Sequence, residues 1–447
     1  MTMIGVWALI IYLVVIIGWC AVIKRSVGEA MILGFIAAIL FAGKDILTVG
    51  WSSLYDALTD QIVYSTMIFV FMGFLLEKAG VMEKLINLLN SVLGGVKGGP
   101  AYVSTLASAS LGSVVHNQAA ISATVGAVTI PWMTRSNMDK GRAASLIAGN
   151  GGMGITFPFS ASMFALVGST TVSSILNVND LIVPLIFGGL WCVLHRLIVT
   201  FIFVRQSRME AESAENRMSF GPSFRQGWST LSIFVGVGIP LLLTVGPLYR
   251  ALSSWSGTDL SKEINIVLWI PVVLVLLGLL LGSKRLPRSP GGWKELILES
   301  VPRFTTVGIT VLFGFAGANA LATTGLSDQL TGLLSEMHLP LWLLAILVGV
   351  IVIAVAAPLS STATMAAVGT VGVVTLVSAG VPAPTAAVAT LIFSSCEAAV
   401  PPGGPPLYVA CGIANVNPIQ QFTRMMLYYA LPLLAIGVLV ILGVLPV

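Results

Sequence analysis

The chain has 447 residues, of which 56% are hydrophobic and 9% are charged, and its net charge is +4. Soluble proteins carry about a quarter of charged residues, so this composition excludes a soluble globular domain. The small net charge argues against a nucleic-acid partner. We therefore predict an all-α, multi-pass membrane protein that is embedded in the lipid bilayer.

Apolar runs long enough to cross about 30 Å of hydrocarbon recur along the chain. The first run is predicted to be a retained span and not a cleavable signal, because no basic segment precedes it and Lys24 and Arg25 follow it. The predicted spans are 3–23, 28–43, 181–204, 229–248, 264–282, 305–322, 340–357 and 425–445.

The sequence shows no phosphate-binding loop, no zinc-protease motif and no nucleophile elbow. The cysteines are scattered through apolar segments without metal-ligand spacing, and we interpret them as core residues. They are Cys20, Cys192, Cys396 and Cys411. We expect neither an enzyme nor a bound cofactor or resident metal.

The chain contains an internal repeat. The block GWSSLYDALTDQIVYSTMIFVFMGF from Gly50 matches GWKELILESVPRFTTVGITVLFGF from Gly292, at an offset of 242 positions. The block ATVGAV from Ala123 matches AAVGTV from Ala366 at an offset of 243, and further blocks agree in the same order. In each half, the first block predicts a short interfacial arm helix that leads into a span, although a plain connector fits it equally well.

The two halves are predicted to lie in opposite orientations in the membrane. Half one covers 1–204, half two covers 229–447, and the linker 205–228 is the most polar part of the chain. Its arginines place the linker in the cytoplasm by the positive-inside rule, as Lys24 and Arg25 do for the end of the first span. Inverted repeats are typical of secondary transporters, whereas a plain duplication would also fit a channel or a structural protein.

Polar residues interrupt one apolar segment in each half. The stretch HNQ places Asn117 in an apolar run, and the offset of 243 aligns Asn117 with Ser360 in the stretch SSTAT. Each stretch is followed by proline and glycine within a predicted span, in GITFPFSAS and AAVPPGGPP. Such breaks survive at membrane depth only inside protein or against a cavity. We therefore predict a re-entrant hairpin and a broken helix in each half.

A helix that begins at such a tip presents unpaired N–H groups, which suit a carboxylate, while hydroxyls cap the helix and freed carbonyls can bind Na⁺. The alternative is that the serines and threonines only permit close packing or bond back to carbonyls.

Glu397 is the only charged residue between Leu339 and Thr423. A carboxylate inside a membrane is a functional hypothesis, with helix capping as the alternative. His116 is either a proton carrier or a neutral packed residue.

The stretch FMGFLLEKAGVMEKLINLLNSVLGG, then IPWM and GNGGMGITFPFSASM, resembles the large membrane subunit of tripartite ATP-independent periplasmic (TRAP) transporters. The ending VPPGGPPLYVACGIANVNPIQQFTRMMLYYALPLL resembles it most specifically. The chain departs from that family at the stretches HNQAA and LSSTAT, which are similar to the tips of divalent anion/Na⁺ symporters, another branch of the ion transporter superfamily.

The resemblance implies an elevator-type carrier in the bacterial inner membrane that takes up a small organic anion, with Na⁺ as coupling ion. It further implies a small four-helix membrane subunit and a periplasmic substrate-binding protein as partners. The alternatives are a stand-alone Na⁺- or H⁺-coupled divalent anion symporter, a passive anion channel, and a scaffold subunit without transport of its own.

The resemblance also implies two polar clusters. The substrate-binding candidates are Asn117, Gln118, Ser160, Ser360, Ser361 and Thr362. The cation-binding candidates are Ser113, Asn117, Thr156, Thr364, Gly403 and Gly404. The candidates for a role in coupling are His116 and Glu397.

Overall fold

The structure is a computed structural model that describes residues 3–211, 219–244, 247–326, 329, 339–357, 359–401 and 404–447. Within these residues every regular element is a helix, so the predicted all-α class is confirmed. Short 3₁₀ and π turns connect several of the helices.

The helices of half one extend slightly beyond its predicted end, because the last of them continues to Ser207. They are Ile4–Ile17, Val27–Ile39, Ile46–Thr59, Gln61–Lys78, Val81–Leu93, Gly99–Val115, Gln118–Arg135, Lys140–Gly151, Ala161–Val167, Thr170–Ser173 and Val178–Ser207.

The helices of half two begin within the predicted linker, of which residues 212–218 lie outside the described part of the chain. They are Phe220–Gly227, Ser232–Thr244, Pro247–Ser256, Leu260–Glu263, Ile266–Leu281, Pro290–Ala322, Leu341–Ala356, Ser361–Thr364, Thr370–Ser378, Ala383–Ser394, Pro405–Ala414, Phe422–Met425 and Leu431–Ile441.

Among the described residues, six helices are long and apolar enough to cross a membrane. A seventh candidate is the pair Val63–Lys78 and Val81–Leu93, which is bent by 61°. The predicted span at 340–357 forms a helix of only 16 residues, Leu341–Ala356. At 1.5 Å per residue such a helix is about 24 Å long and falls short of the hydrocarbon thickness.

The arm regions of the two halves differ from each other. In half one, Ile46–Thr59 ends at Asp60, whose extended backbone (φ −71°, ψ 126°) separates it from Gln61–Lys78. In half two, Pro290–Ala322 is one helix of 33 residues with Pro302 inside it. The short arm helix predicted from the sequence is therefore a separate helix in half one but part of a longer helix in half two.

Two helical hairpins and two broken helices recur with the repeat. The first hairpin is Gly99–Val115 with Gln118–Arg135, and the second is Leu341–Ala356 with the helical segment 361–378. The first broken helix is Lys140–Gly151 with Ala161–Val167, and the second is Ala383–Ser394 with Pro405–Ala414. Gln118 and Ser361, which start the returning arms of the two hairpins, stand 243 positions apart, as do Lys140 and Ala383.

Candidate functional site

The first tip consists of His116 and Asn117, which reverse the chain between the two helices of the first hairpin. His116 ends the outgoing helix with a left-handed backbone (φ 54°), and its N–H donates to Gly112 O at 3.2 Å. Asn117 is extended, and its side chain accepts from the N–H of Ala120 at 2.9 Å. An asparagine in this position is a strong N-cap, so the returning helix begins here because of the side chain that precedes it.

The second tip consists of Leu359 and Ser360. Ser360 is extended (φ −81°, ψ 159°), and its hydroxyl oxygen accepts from the N–H of Ala363 at 3.2 Å. Asn117 and Ser360, which the sequence aligns, thus cap the returning helices of their hairpins in the same way.

The two tips meet each other. The Nε2 of Gln118 donates to the Oγ of Ser361 at 2.8 Å, although these residues lie 243 positions apart. The hydroxyls of Ser162 and Thr362 lie 3.3 Å apart beside this contact. Residues at equivalent positions of the repeat therefore touch, which brings two helix starts to one point.

Glu397 occupies the start of the second returning helix. Its side chain is 5% exposed, and its Oε2 accepts from the N–H of Ser361 at 2.5 Å and lies 2.9 Å from the Ser361 Oγ. The Ser361 hydroxyl also lies 2.7 Å from Ser394 O. The prediction that this helix start presents unpaired N–H groups to a ligand is wrong for Ser361, because the break in the second broken helix delivers an internal carboxylate to its N–H.

A cavity of about 220 Å³ opens between the tips. Seven of the predicted site residues line it: His116, Asn117, Gln118, Ser360, Ser361, Thr362 and Glu397. The structure therefore brings five of the six substrate-binding candidates and both coupling candidates into one space, whereas Asn117 is the one cation-binding candidate among the described lining residues.

Four other predicted residues bond to backbone of their own segments. Three of them donate from their hydroxyls to a carbonyl three or four residues earlier, at 2.9 Å in each case: Ser113 to Ser110 O, Thr156 to Met153 O and Thr364 to Ser360 O. The fourth, Ser160, caps the helix Ala161–Val167 by accepting from Met163 N at 3.0 Å.

The predicted glycine pair is described only in part. The N–H of Gly404 donates to Glu397 O at 2.8 Å, whereas Gly403 lies outside the described residues.

The sequence did not point to the side walls of the cavity. They come from the helices Gln61–Lys78 and Pro290–Ala322 and from the first broken helix, and they include Thr66, Phe69, Phe159, Thr306 and Thr310. Threonines within apolar helices were the available signal, but such residues commonly bond to a carbonyl one turn back. Thr310 does so, since its hydroxyl donates to Thr306 O at 2.7 Å.

Buried oxygen atoms collect behind the first tip. Within the described part of the chain, Gln118 Oε1 and Ser122 Oγ are buried and have no hydrogen-bond partner. They lie one helical turn apart and face two glycines of the first broken helix. A Cβ at Gly151 would lie 2.8 Å from Ser122 Oγ, and a Cβ at Gly152 would lie 3.4 Å from Gln118 Oε1.

A glycine stands where half two has Glu397. Gly154 lies 243 positions before Glu397 and packs directly on the first hairpin, since a Cβ there would be 2.6 Å from Gly112 O. The backbone approach leaves no room for a side chain, so half one cannot supply a carboxylate at the equivalent point.

Comparison with known proteins gives a consistent family. The family model described as the DctM component of the tripartite ATP-independent periplasmic transporter matches residues 3–446. The C4-dicarboxylate TRAP transporter large permease protein DctM of Pseudomonas aeruginosa is 21% identical over 72% of this chain and 70% of its own length. The 2,3-diketo-L-gulonate TRAP transporter large permease protein YiaN of Escherichia coli is 28% identical over 34% of this chain and 37% of its own length.

Solved structures show the same fold at low identity. The YdaH transporter of Alcanivorax borkumensis superposes with a TM-score of 0.64 at 15% identity and covers 90% of this chain and 89% of its own. MtrF of Neisseria gonorrhoeae superposes with a TM-score of 0.62 at 14% identity and covers 89% of this chain and 83% of its own.

Proposed function

Because the chain belongs to the DctM family of tripartite ATP-independent periplasmic transporters, we propose that it is the large permease subunit of a Na⁺-coupled uptake system for a small organic anion. It is a multi-pass protein of the inner membrane. Its named relatives include permeases for C4-dicarboxylates and for 2,3-diketo-L-gulonate, and both of these ligands carry a carboxylate.

The observation that carries the proposal is the meeting of two helix starts in one cavity. Gln118 and Ser361 begin helices from different halves and touch inside a space of about 220 Å³. Helix starts favour anions, because their first N–H groups have no acceptor within the helix and the helix dipole is positive there. A ligand site at the interface of two repeats is typical of secondary transporters.

The proposed mechanism is an elevator built from two inverted repeats. Hairpin and broken-helix boundaries that recur 243 positions apart support a repeated architecture. A helix of 16 residues in the second hairpin supports a re-entrant element, since it is too short to cross the bilayer. In this proposal the hairpins and broken helices move as one block along the remaining helices and carry the cavity across the membrane.

The coupling ion is proposed to be Na⁺. The support is chemical: Gln118 Oε1 and Ser122 Oγ are buried oxygens without partners among the described residues, and unpaired oxygens beside a broken helix suit Na⁺. By family membership we also propose the two partners of a tripartite system, which are a small four-helix membrane subunit and a periplasmic substrate-binding protein.

Uptake measurements in proteoliposomes test the function. The purified chain, with and without the small subunit and binding protein from the same source, is given labelled monocarboxylates and dicarboxylates under an inward Na⁺ gradient. We expect saturable uptake only with the Na⁺ gradient and both partners. Na⁺-dependent uptake by the chain alone would instead indicate a stand-alone symporter, flux without any gradient a channel, and no flux a scaffold subunit.

The ion site has its own test. Ser122→Ala removes an oxygen that makes no hydrogen bond to a described residue, so we expect unchanged folding but an approximately tenfold rise in the Na⁺ concentration for half-maximal uptake. Ser104→Ala is the control, because it removes another buried and equally unpartnered hydroxyl of the described chain, on the outgoing helix of the first hairpin and far from its tip. Equal Na⁺ dependence in both variants would contradict this position for the ion.

A further inference from the structure

The cavity has two chemically different ends. At the first tip, the N–H groups of Gln118 and Ala119 have no acceptor in their own helix, because no turn precedes them. The Nε2 of His116 is buried without a partner in the described part of the chain, and His116 and Asn117 both line the cavity. This end therefore offers the two backbone N–H donors and the positive end of an 18-residue helix.

The opposite end offers acceptors. Oε2 of Glu397 is bound to the N–H of Ser361, which leaves Oε1 as the carboxyl oxygen available to a ligand. With Oε2 turned to Ser361, Oε1 accepts hydrogen bonds whether or not the group carries a proton on Oε2.

No lysine or arginine is found among the cavity-lining residues that the structure describes. A second carboxylate on the ligand would thus meet Glu397 without a basic side chain among these residues to balance the two charges, and like charges inside a protein repel strongly. A hydroxyl or an ammonium group at the same place would instead donate to Glu397.

We propose that the transported anion is a monocarboxylate whose opposite end carries hydroxyl or amine donors, and that dicarboxylates are excluded. This inference rests on the proposed function. The ligand carboxylate lies at the first tip against the start of the helix Gln118–Arg135, and its donor groups face Glu397 at the second tip. Glu397 is then the residue that determines specificity.

Matched pairs of acids test this proposal. D-gluconate and D-glucarate differ only in a terminal hydroxymethyl group that is a carboxylate in the latter, and 4-hydroxybutanoate and succinate differ in the same way. Binding of each acid to the purified protein in NaCl is measured by calorimetry or by the shift of thermal unfolding. We expect the monocarboxylate to bind at least tenfold more tightly in any pair that binds.

Glu397→Gln sharpens the test, because the amide keeps an acceptor oxygen but carries no charge and also offers donors. We expect the preference for the monocarboxylate to shrink to less than about threefold. Glu263→Gln, at an exposed acid outside the cavity, should leave the preference unchanged. If Glu397→Gln does not fold, the binding of the matched acids to the unaltered protein still tests the proposal.

Three results would overturn the proposal: a dicarboxylate that binds as tightly as its partner, no binding by any of the four acids, or an unchanged preference in a folded Glu397→Gln protein. Na⁺-driven uptake of dicarboxylates would refute the ligand class and leave the proposed function intact. Absence of Na⁺-driven uptake of any organic acid by the complete system would refute the function itself.

Discussion

The two hairpin tips start their helices with the same device but present different chemistry to the cavity. Asn117 and Ser360 each accept a hydrogen bond from the N–H three residues ahead. Behind the first tip lies Gly154, which packs backbone against backbone. Behind the second lies Glu397, whose carboxylate binds the first N–H of the helix.

The comparison shows how two repeated hairpins can give the cavity two chemically different ends. The caps determine where the helices begin, and they serve both halves equally. The residue behind each cap decides whether the helix start stays available to an anion or is neutralised from within the protein. The difference between Gly154 and Glu397 at equivalent positions thus makes one end of the cavity a donor end and the other an acceptor end.

The largest expected effect is the loss of stability caused by Glu397→Ala. It leaves the N–H and the hydroxyl of Ser361 without their carboxylate in a buried site, and hydrogen bonds to a charged group contribute about 1.5–3 kcal/mol each. We expect a loss of about 3 kcal/mol in the free energy of unfolding, measured by SDS titration in mixed micelles. Glu397→Gln should lose clearly less, since it keeps an acceptor, and equal losses in the two variants would contradict the role given to this contact.

Gly154→Ala tests the other side of the comparison. The added Cβ would lie 2.6 Å from Gly112 O, so the hairpin and the broken helix must separate, at a cost of about 2 kcal/mol by the same titration. Gly238→Ala is the control, because a Cβ there meets nothing within 4 Å and alanine favours a helix. If Gly154→Ala is as stable as Gly238→Ala, the close approach is not required.

Removal of either cap should lower the stability of the protein equally, but the two removals should weaken ligand binding to different extents. Asn117→Ala and Ser360→Ala each remove one N-cap, which costs about 1 kcal/mol, and Asn117→Ser and Ser360→Asn should restore it. Apparent affinity in uptake assays should fall about tenfold for Asn117→Ala and less for Ser360→Ala, because the first tip receives the anion. The reverse order of affinities would place the anion at the second tip.

The smallest effect concerns the contact between the tips. A double-mutant cycle of Gln118→Ala and Ser361→Ala should give a coupling energy of about 0.5–1 kcal/mol in the unfolding titration. Gln118→Ala combined with Thr390→Ala is the control, since the Thr390 hydroxyl donates within its own helix, to Ala386 O. Additive effects in both cycles would show that the tips do not touch in the folded protein.

Much of the fold followed from the sequence because helix boundaries depend on nearby residues. The apolar runs predicted the helices, and the HNQ and SSTAT stretches predicted where the two hairpins turn, since a capping side chain acts within three residues of itself. The repeat aligns Asn117 with Ser360, and the structure gives both the same capping role. The uninterrupted helix Pro290–Ala322 did not follow, because the sequence predicted a short arm helix ahead of the span 305–322, whereas the structure joins the two.

Composition, periodicity and capping are properties of short segments, so the residues alone were enough to predict the class of protein, the positions of the tips and the isolated acid at Glu397. Which groups meet depends instead on the packing of distant helices. Gln118 reaches Ser361 across 243 positions, Glu397 Oε2 accepts from the N–H of Ser361, and the cavity walls come from distant helices. Such contacts depend on how the helices pack together, which no local pattern of residues encodes.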